Sequence, residues 1–167
     1  MDSFFRHIDL SNLTAVHAFI SMKHTGEVET AGLFERLWTE FPQIHVFAPR
    51  VNETSGNIDS IPFTLGTKLA DSRWKITEPA EGEASDPLEL DIVVVPLICF
   101  DRRGFRVGYG KGFYDRFLAS CRPDCVRAGL SFFPPVDLID DVHDGDVPLD
   151  LAVTPEMVFQ PETDSEF

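Results

Sequence analysis

Positive charge is scarce in this sequence of 167 residues: 14 Lys and Arg face 28 Asp and Glu, a net charge of −14. A chain so negative repels nucleic-acid backbones and anionic membrane surfaces, which excludes general binding to either. Long hydrophobic runs are missing as well, and no apolar stretch approaches the roughly 20 residues that a membrane helix needs. The first residues, MDSFFRHIDL, have neither the pattern of a secretion signal nor that of an Arg-rich transit peptide. Cysteine is limited to Cys99, Cys121 and Cys125. An odd number without a secretion signal argues against a disulfide framework and for a reducing cytoplasm. Cys121 and Cys125 also lack the second pair that a zinc site needs.

What is present suffices for one globular domain, since 43% of the residues are apolar and 15 of them are Phe. No internal repeat is visible, so a single domain over residues 1–167 is expected. Glu78 to Pro87 (EPAEGEASDP) is polar and helix-breaking and reads as an exposed excursion. The acidic tail from Pro161 to Phe167 is expected to fray.

The apolar pattern alternates between two periods. Val16, Ala18 and Ile20 alternate and favour a strand within Thr14 to Met22. Leu33, Phe34, Leu37, Trp38 and Phe41 form the stripe of an amphipathic helix over Glu29 to Phe41, which Pro42 stops. Ile44 to Phe47 reads as a short strand with Pro49 beyond it. Ile61 to Leu65 and Arg73 to Ile76 are weak strand candidates, expected as an edge hairpin. Asp91 to Val95 (DIVVV) is the branched run of a strand buried on both faces of a parallel sheet. A helix over Gly112 to Cys121 and strands over Val126 to Phe132 and Leu149 to Val153 follow. This alternation predicts an α/β fold: an open, mostly parallel sheet with helices on both faces, a Rossmann-like three-layer α/β/α arrangement.

The few cations are clustered. Arg102, Arg103, Arg106, Lys111, Arg116, Arg122 and Arg127 stand against only Asp115 and Asp124, leaving +5 in this stretch and −19 in the rest of the chain. Two readings fit: a basic strip balancing acidic neighbours, or an anion site on an otherwise repulsive surface. Within the cluster, Gly108, Gly110 and Gly112 recur at every second residue, between a buried strand and a helix. Open sheets bind ligands there, beyond the carboxyl ends of their strands. Glycines let the backbone turn its N–H groups toward an anion, and the helix N-terminus adds its dipole. The spacing matches neither the dinucleotide fingerprint nor the P-loop, whose Lys is followed by Ser or Thr. Asp115, one turn into the helix, suits Mg²⁺ beside a phosphate, or merely complements the helix dipole.

The full string F-D-x-x-G-x-R-x-G-x-G-K-G-F-Y-D-R from Phe100 to Arg116 is highly specific. With it stand G-E-V-E-T (Gly26 to Thr30), A-P-R-V (Ala48 to Val51), Glu78-Pro79, D-I-V-V-V-P (Asp91 to Pro96), His143-Asp144 and L-D-L-A-V-T (Leu149 to Thr154). In this order, over Thr14 to Val158, the sequence resembles the 5-formyltetrahydrofolate cyclo-ligases, also called methenyltetrahydrofolate synthetases. The resemblance implies a monomeric cytoplasmic ligase acting on small molecules. It would convert 5-formyltetrahydrofolate to 5,10-methenyltetrahydrofolate with ATP, releasing ADP and phosphate, with Mg²⁺ as cofactor.

Position by position, the resemblance implies that Arg106, Val107, Gly108, Tyr109, Gly110, Lys111, Gly112, Phe113 and Tyr114 hold the nucleotide, with Arg106 and Lys111 catalytic. Tyr109 to Phe113 would also face the folate, together with Met22 and Glu27. Asp115 and Asp150 would bind the metal. Each residue has a plainer reading: Glu27 as a dipole-favoured carboxylate before a helix, Met22 as core, Asp150 as one solvated charge in an acidic tract, His143-Asp144 as a structural pair. Family members usually begin with a further basic helical segment. Here Arg6 is the only Lys or Arg before Met22, so a form without that segment is expected. A non-catalytic folate- or nucleotide-binding remnant and another phosphate-handling α/β enzyme, such as a sugar-phosphate isomerase, are the competing readings. Asp115 and the F-Y-D-R string argue against the second.

Overall fold

A computed structural model describes residues 2–22 and 25–161; the rest of the tail expected to fray, residues 162–167, lies outside them. The main sheet has seven strands. Five run parallel: β1 (Ala15–Ala18), β2 (His45–Val51), β6 (Ile92–Val95), β9 (Val126–Leu130) and β10 (Leu151–Val153). Antiparallel β3 (Ile58–Pro62) and β11 (Val158–Phe159) close the two edges, giving the order β11-β10-β9-β6-β1-β2-β3.

The β6 residues explain the layering. Ile92 and Val94 pack on one face, against α1 (Asp2–His7) and α2 (Ala31–Glu40); Val93 and Val95 pack on the other, against α3 (Phe113–Ser120). With alternate side chains on opposite faces, a strand buried on both sides must be apolar throughout. The α2 stripe buries Leu33, Phe34 and Leu37, and the Trp38 indole N–H donates to the Phe63 carbonyl at 2.9 Å. Thr30 joins the end of β1 to the start of α2: its hydroxyl donates to the Phe19 carbonyl at 2.8 Å and accepts from Ser21 N–H at 3.0 Å. The three-layer α/β/α expectation describes this arrangement. Because β1 leads outward to β2 while β6 lies on its other side, the strand order reverses beside β1 and opens a crevice at the carboxyl ends.

Several local expectations needed correction. Pro49 lies inside β2; its pairing with β1 ends at Phe47, so the missing N–H interrupts no ladder there. Ile61 to Leu65 does not pair with Arg73 to Ile76. Only Ile61 and Pro62 of the first belong to a strand, the end of β3, which starts at Ile58 and pairs with β2. The second is the turn between β4 (Leu69–Asp71) and β5 (Thr77–Pro79), closed by Lys75 N–H to Ser72 O at 2.9 Å, with Lys75 at φ 58°. Glu78 belongs to β5, and its carboxylate accepts the Val51 N–H at 3.0 Å, so the exposed excursion begins only after Pro79. A further hairpin, β7 (Cys99–Phe100) and β8 (Arg106–Val107), leaves the sheet between β6 and α3.

Asp91 links three elements. Its carboxylate accepts N–H groups of Thr14 and Ala15, the Thr14 hydroxyl and the Arg122 guanidinium. Burial pushes its pKa up, but these bonds outweigh burial and hold it below the ordinary aspartate value. Such a carboxylate stabilises the fold fully above the unfolded pKa, and the stabilisation is lost as pH falls through the lowered folded pKa. Asp91→Ala should therefore cost about 2–4 kcal/mol in denaturant unfolding at neutral pH. It should also make the loss of stability on acidification shallower than in the native chain.

Candidate functional site

The crevice beside β1 deepens into a cavity of about 510 Å³. One wall is the connection from β1 to α2, with Phe19, Ile20, Met22 and Glu27; the floor includes Pro49 and Val51 of β2 and Pro96 after β6. Across from them runs the whole stretch from Arg106 to Asp115, and the segment with Ile139, Asp141, His143 and Asp146 closes the rim.

The glycine loop has the geometry of an anion cradle. Gly110 and Gly112 have φ of 73° and 62°, a left-handed backbone that side chains rarely adopt. A Cβ added at Gly108 or Gly110 would meet nothing within 4 Å, so these glycines border open space and do not serve packing. Gly112 starts α3 without a side-chain cap. The first-turn N–H groups of α3 are therefore left for a ligand.

Arg106 supplies fixed positive charge behind that loop. Its side chain is only 6% exposed; one nitrogen donates to the Val147 carbonyl and the other to Asp115 Oδ1 at 2.7 Å. Asp115 Oδ1 also accepts the Val147 N–H at 3.1 Å. Lys111 is exposed at the cavity and has no ion-pair partner among the described residues. Most of the cation cluster has other work. Arg103 pairs with Asp101, Arg122 with Asp91 and Asp124, and Arg127 with Asp150. Arg116 donates to the Gly56 carbonyl at 2.8 Å. Both readings of the cluster hold in part, because Arg106 and Lys111 line the cavity while Arg103, Arg122 and Arg127 balance acidic neighbours.

On the opposite wall, Glu27 accepts the Met22 N–H at 2.8 Å, which fixes both residues against the cavity. Burial raises the Tyr109 pKa against a hydrogen bond with Thr25, and the Glu27 carboxylate adds to the rise. Burial, followed by the Glu27 charge, pushes the Tyr114 hydroxyl above the ordinary tyrosine range despite Arg106. That buried hydroxyl has no hydrogen-bond partner among the described residues, so the cavity wall holds a neutral, unspent donor.

Asp101 organises two of the walls. Its side chain is 0% exposed and accepts N–H groups of Arg103 (2.9 Å), Phe105 (3.1 Å) and Ile139 (3.2 Å), together with the Arg103 guanidinium. The Arg103 Nη2 goes on to the Ile139 carbonyl at 2.8 Å. One carboxylate thus ties the β7–β8 hairpin, which leads into the glycine loop, to the rim segment. Burial raises its pKa, but the Arg103 and Ile139 bonds prevail and hold it low.

Of the positions singled out in the sequence, Met22, Glu27 and every residue from Arg106 to Asp115 come together at this cavity. Asp150 does not. It precedes β10, where Arg127 donates to both carboxylate oxygens (2.8 and 2.6 Å) and gives its backbone N–H as well (2.7 Å). Arg122 and Arg127 are ion-pair partners of the scaffold. His143 lines the rim, and its Nε2 lies 3.4 Å from Asp141. Sequence reasoning gave no role to Pro49, Val51, Ile58, Ile76 or Ile139, which make the cavity apolar. The carboxyl-end rule for parallel strands is the signal that could have found Pro49 and Val51. It also missed Trp74, which packs edge-on to Phe113 of the glycine loop, centroids 5.9 Å apart.

The donors present suit a hard cation. Asp115 Oδ2 has no hydrogen bond among the described residues, and it stands at the end of the phosphate-type cradle. Mg²⁺ in such sites takes one or two carboxylates and leaves its other positions to phosphate oxygens and water. Asp115 fits that role; Asp150, held by Arg127, is not brought beside it.

The family described as 5-formyltetrahydrofolate cyclo-ligase matches residues 2–155. The chain is 30% identical over 151 residues to the 5-formyltetrahydrofolate cyclo-ligase of Escherichia coli (strain K12), covering 84% of this chain and 79% of that one. It is 32% identical over 151 residues to the enzyme of that name from Mycoplasma pneumoniae, covering 90% and 86%. The solved structure of Aquifex aeolicus 5,10-methenyltetrahydrofolate synthetase superposes with a TM-score of 0.74 at 24% identity, covering 99% of this chain and 81% of that one. That last likeness is one of fold.

Asp101→Asn tests the junction of the two walls. It places an amide N–H₂ among donors and should cost about 2–4 kcal/mol in denaturant unfolding. Proteolytic cleavage in the segments 102–110 and 136–146 should rise well before the sheet is cut.

Proposed function

Because the chain belongs to the 5-formyltetrahydrofolate cyclo-ligase family, we propose that it closes 5-formyltetrahydrofolate to 5,10-methenyltetrahydrofolate, consuming MgATP and releasing ADP and phosphate. The observation that carries this reading is the single cavity that joins the cradle from Arg106 to Asp115 with Glu27 and Met22 on the facing wall. A nucleotide and a pterin must meet in one place for this chemistry, and the chain offers one place with equipment for each.

The formyl amide oxygen is a poor leaving group. Transfer of the γ-phosphoryl group to it gives an iminium phosphate. The neighbouring N–H nitrogen of the folate attacks the formyl carbon and gives up its proton to solvent, and the C–O bond breaks as phosphate departs to leave the methenyl bridge. Such transfer asks the protein for position and charge more than for covalent help. The N–H groups of Gly108 to Tyr114 would hold the phosphates. Arg106, locked by Asp115 and Val147, and Lys111, free to reach, would bear the charge that develops on the transferring group. Tyr109 to Phe113 would keep the formyl group beside the γ-phosphate. Glu27, anchored on the Met22 amide, would accept the pterin N–H and amino donors, with Met22 against the ring. Mg²⁺, held at Asp115, would neutralise the β- and γ-phosphate oxygens; Asp150 stays with Arg127 in this arrangement.

The same proposal takes the chain as one monomeric domain working in the cytoplasm on small molecules, in keeping with three free cysteines and a net charge of −14. No described helix is long and apolar enough to cross a membrane.

Incubation with 5-formyltetrahydrofolate and MgATP should produce the near-ultraviolet band of the methenyl product, and omission of ATP should abolish it. Folate binding without that band would instead identify a non-catalytic binding protein. Lys111→Ala should lower turnover by about 10²–10³-fold with little change in unliganded melting temperature, because Lys111 makes no ion pair among the described residues. Asp115→Asn should lose turnover too, but it should also melt lower, since it weakens the partner of a buried guanidinium.

A further inference from the structure

Thr30 spends its hydroxyl away from its own helix. It caps the N-terminus of α2, where its carbonyl accepts the first helical N–H groups, from Leu33 at 3.0 Å and Phe34 at 3.1 Å. A threonine in that place ordinarily turns its hydroxyl onto an N–H of the helix it starts. Here the side chain makes no such bond. The hydroxyl donates instead to the Phe19 carbonyl at 2.8 Å and accepts the Ser21 N–H at 3.0 Å. The Ser21 hydroxyl returns the contact by accepting the Thr30 N–H at 3.2 Å. Thr30 is only 1% exposed, so these bonds are made out of reach of solvent.

This reciprocal pair closes the loop from Phe19 to Thr30 at its root, and the loop forms one wall of the cavity. Phe19, Ile20, Met22 and Glu27 all line it. Next to Ser21, the Met22 N–H holds one Glu27 carboxylate oxygen at 2.8 Å, and the Met22 carbonyl accepts the Thr25 hydroxyl at 3.1 Å. None of the described residues of the loop belongs to a helix or strand, so no ladder of backbone bonds fixes the carboxylate. Glu27 hangs from Met22, and Met22 from the clasp beside it.

We propose that Ser21 and Thr30 form a clasp that positions Glu27 for the pterin and so sets how tightly this chain takes its folate. Glu27's proposed role as acceptor of the pterin N–H and amino donors is the premise on which this inference rests. Two donors side by side on a flat ring edge need a carboxylate lying in the plane of that edge. The clasp settles the orientation before the ligand arrives, so binding does not have to order the loop. Ser21 and Thr30 are positioning residues in this account, acting through the Met22 amide. The phosphate cradle is built on the other wall, and nucleotide binding does not depend on the clasp.

Titration calorimetry on the whole chain tests this, with 5-formyltetrahydrofolate and MgADP as separate titrants. Thr30→Val keeps the shape of the side chain and removes the hydroxyl. It should raise the Kd for 5-formyltetrahydrofolate about 5–10-fold and leave that for MgADP within about twofold. Thr30→Ser keeps the hydroxyl and should bind like the native chain. Ser21→Ala removes only the return bond; it should give a smaller loss for the folate alone, and it carries the test if Thr30→Val does not fold. Glu27→Gln should weaken the folate about 10–100-fold, and Thr30→Val added to it should weaken binding no further. An unchanged folate Kd in both clasp variants, an equal loss for the two titrants, or a full extra loss in the Glu27→Gln background would overturn the clasp and leave the role of Glu27 standing. Native-like folate binding by Glu27→Gln, or no folate binding by the native chain, would overturn that role and the clasp with it.

Discussion

The ion pair between Arg106 and Asp115 is the constraint on which the site depends. A guanidinium that is almost fully covered needs a partner, because an uncompensated buried charge is among the costliest defects a fold can carry. Asp115 is that partner, and Val147 completes the set by offering its carbonyl to Arg106 and its N–H to Asp115. Three pieces of chain with no other reason to meet are thereby held together: the end of β8, the first turn of α3 and the approach to β10. The glycine loop lies between the first two and is placed by them.

This arrangement resolves an apparent conflict in the composition. A chain with net charge −14 is a poor candidate for holding anions. The acidic excess, however, sits largely on the outside, while one guanidinium is fixed behind the loop and one amine projects from it. A multiply charged small ligand meets local positive potential with oriented amides, whereas a polymer meets the repulsive exterior.

Much of this was legible in the sequence, and the failures follow a pattern. The doubly buried β6 and the α2 stripe are set by periodicity, and the structure follows both. The long motif marked the segment from Arg106 to Asp115, and Glu27 and Met22 were marked by resemblance; all of these positions reach one cavity. What failed depended on pairings between distant segments. Pro49 looked like the end of a strand because the sequence does not say where the β1 ladder stops. Arg73 to Ile76 looked like a strand because the turn made by Ser72 and Lys75 is set by backbone geometry. Asp150 stood in an acidic tract with no sign of its partner Arg127, and Arg122 and Arg127 were equally silent about theirs. Asp101 passed unnoticed inside the motif, although it joins two walls, because its acceptors' partners lie as far away as Ile139.

The walls of the cavity are excursions from the sheet: the β4–β5 hairpin carries Trp74 against Phe113, and the β7–β8 hairpin hangs on Asp101. The sheet beneath is knit by parallel ladders and two apolar layers. Rigidity in this molecule is therefore graded, with the firm part a few strands deep and the ligand-facing part secured by a handful of polar clasps. Amide protons of the glycine loop should exchange with solvent like those of an open loop, while β6, paired on both sides, should keep its own far longer. A ligand that engages those amides would lend the loop the protection that its own backbone lacks.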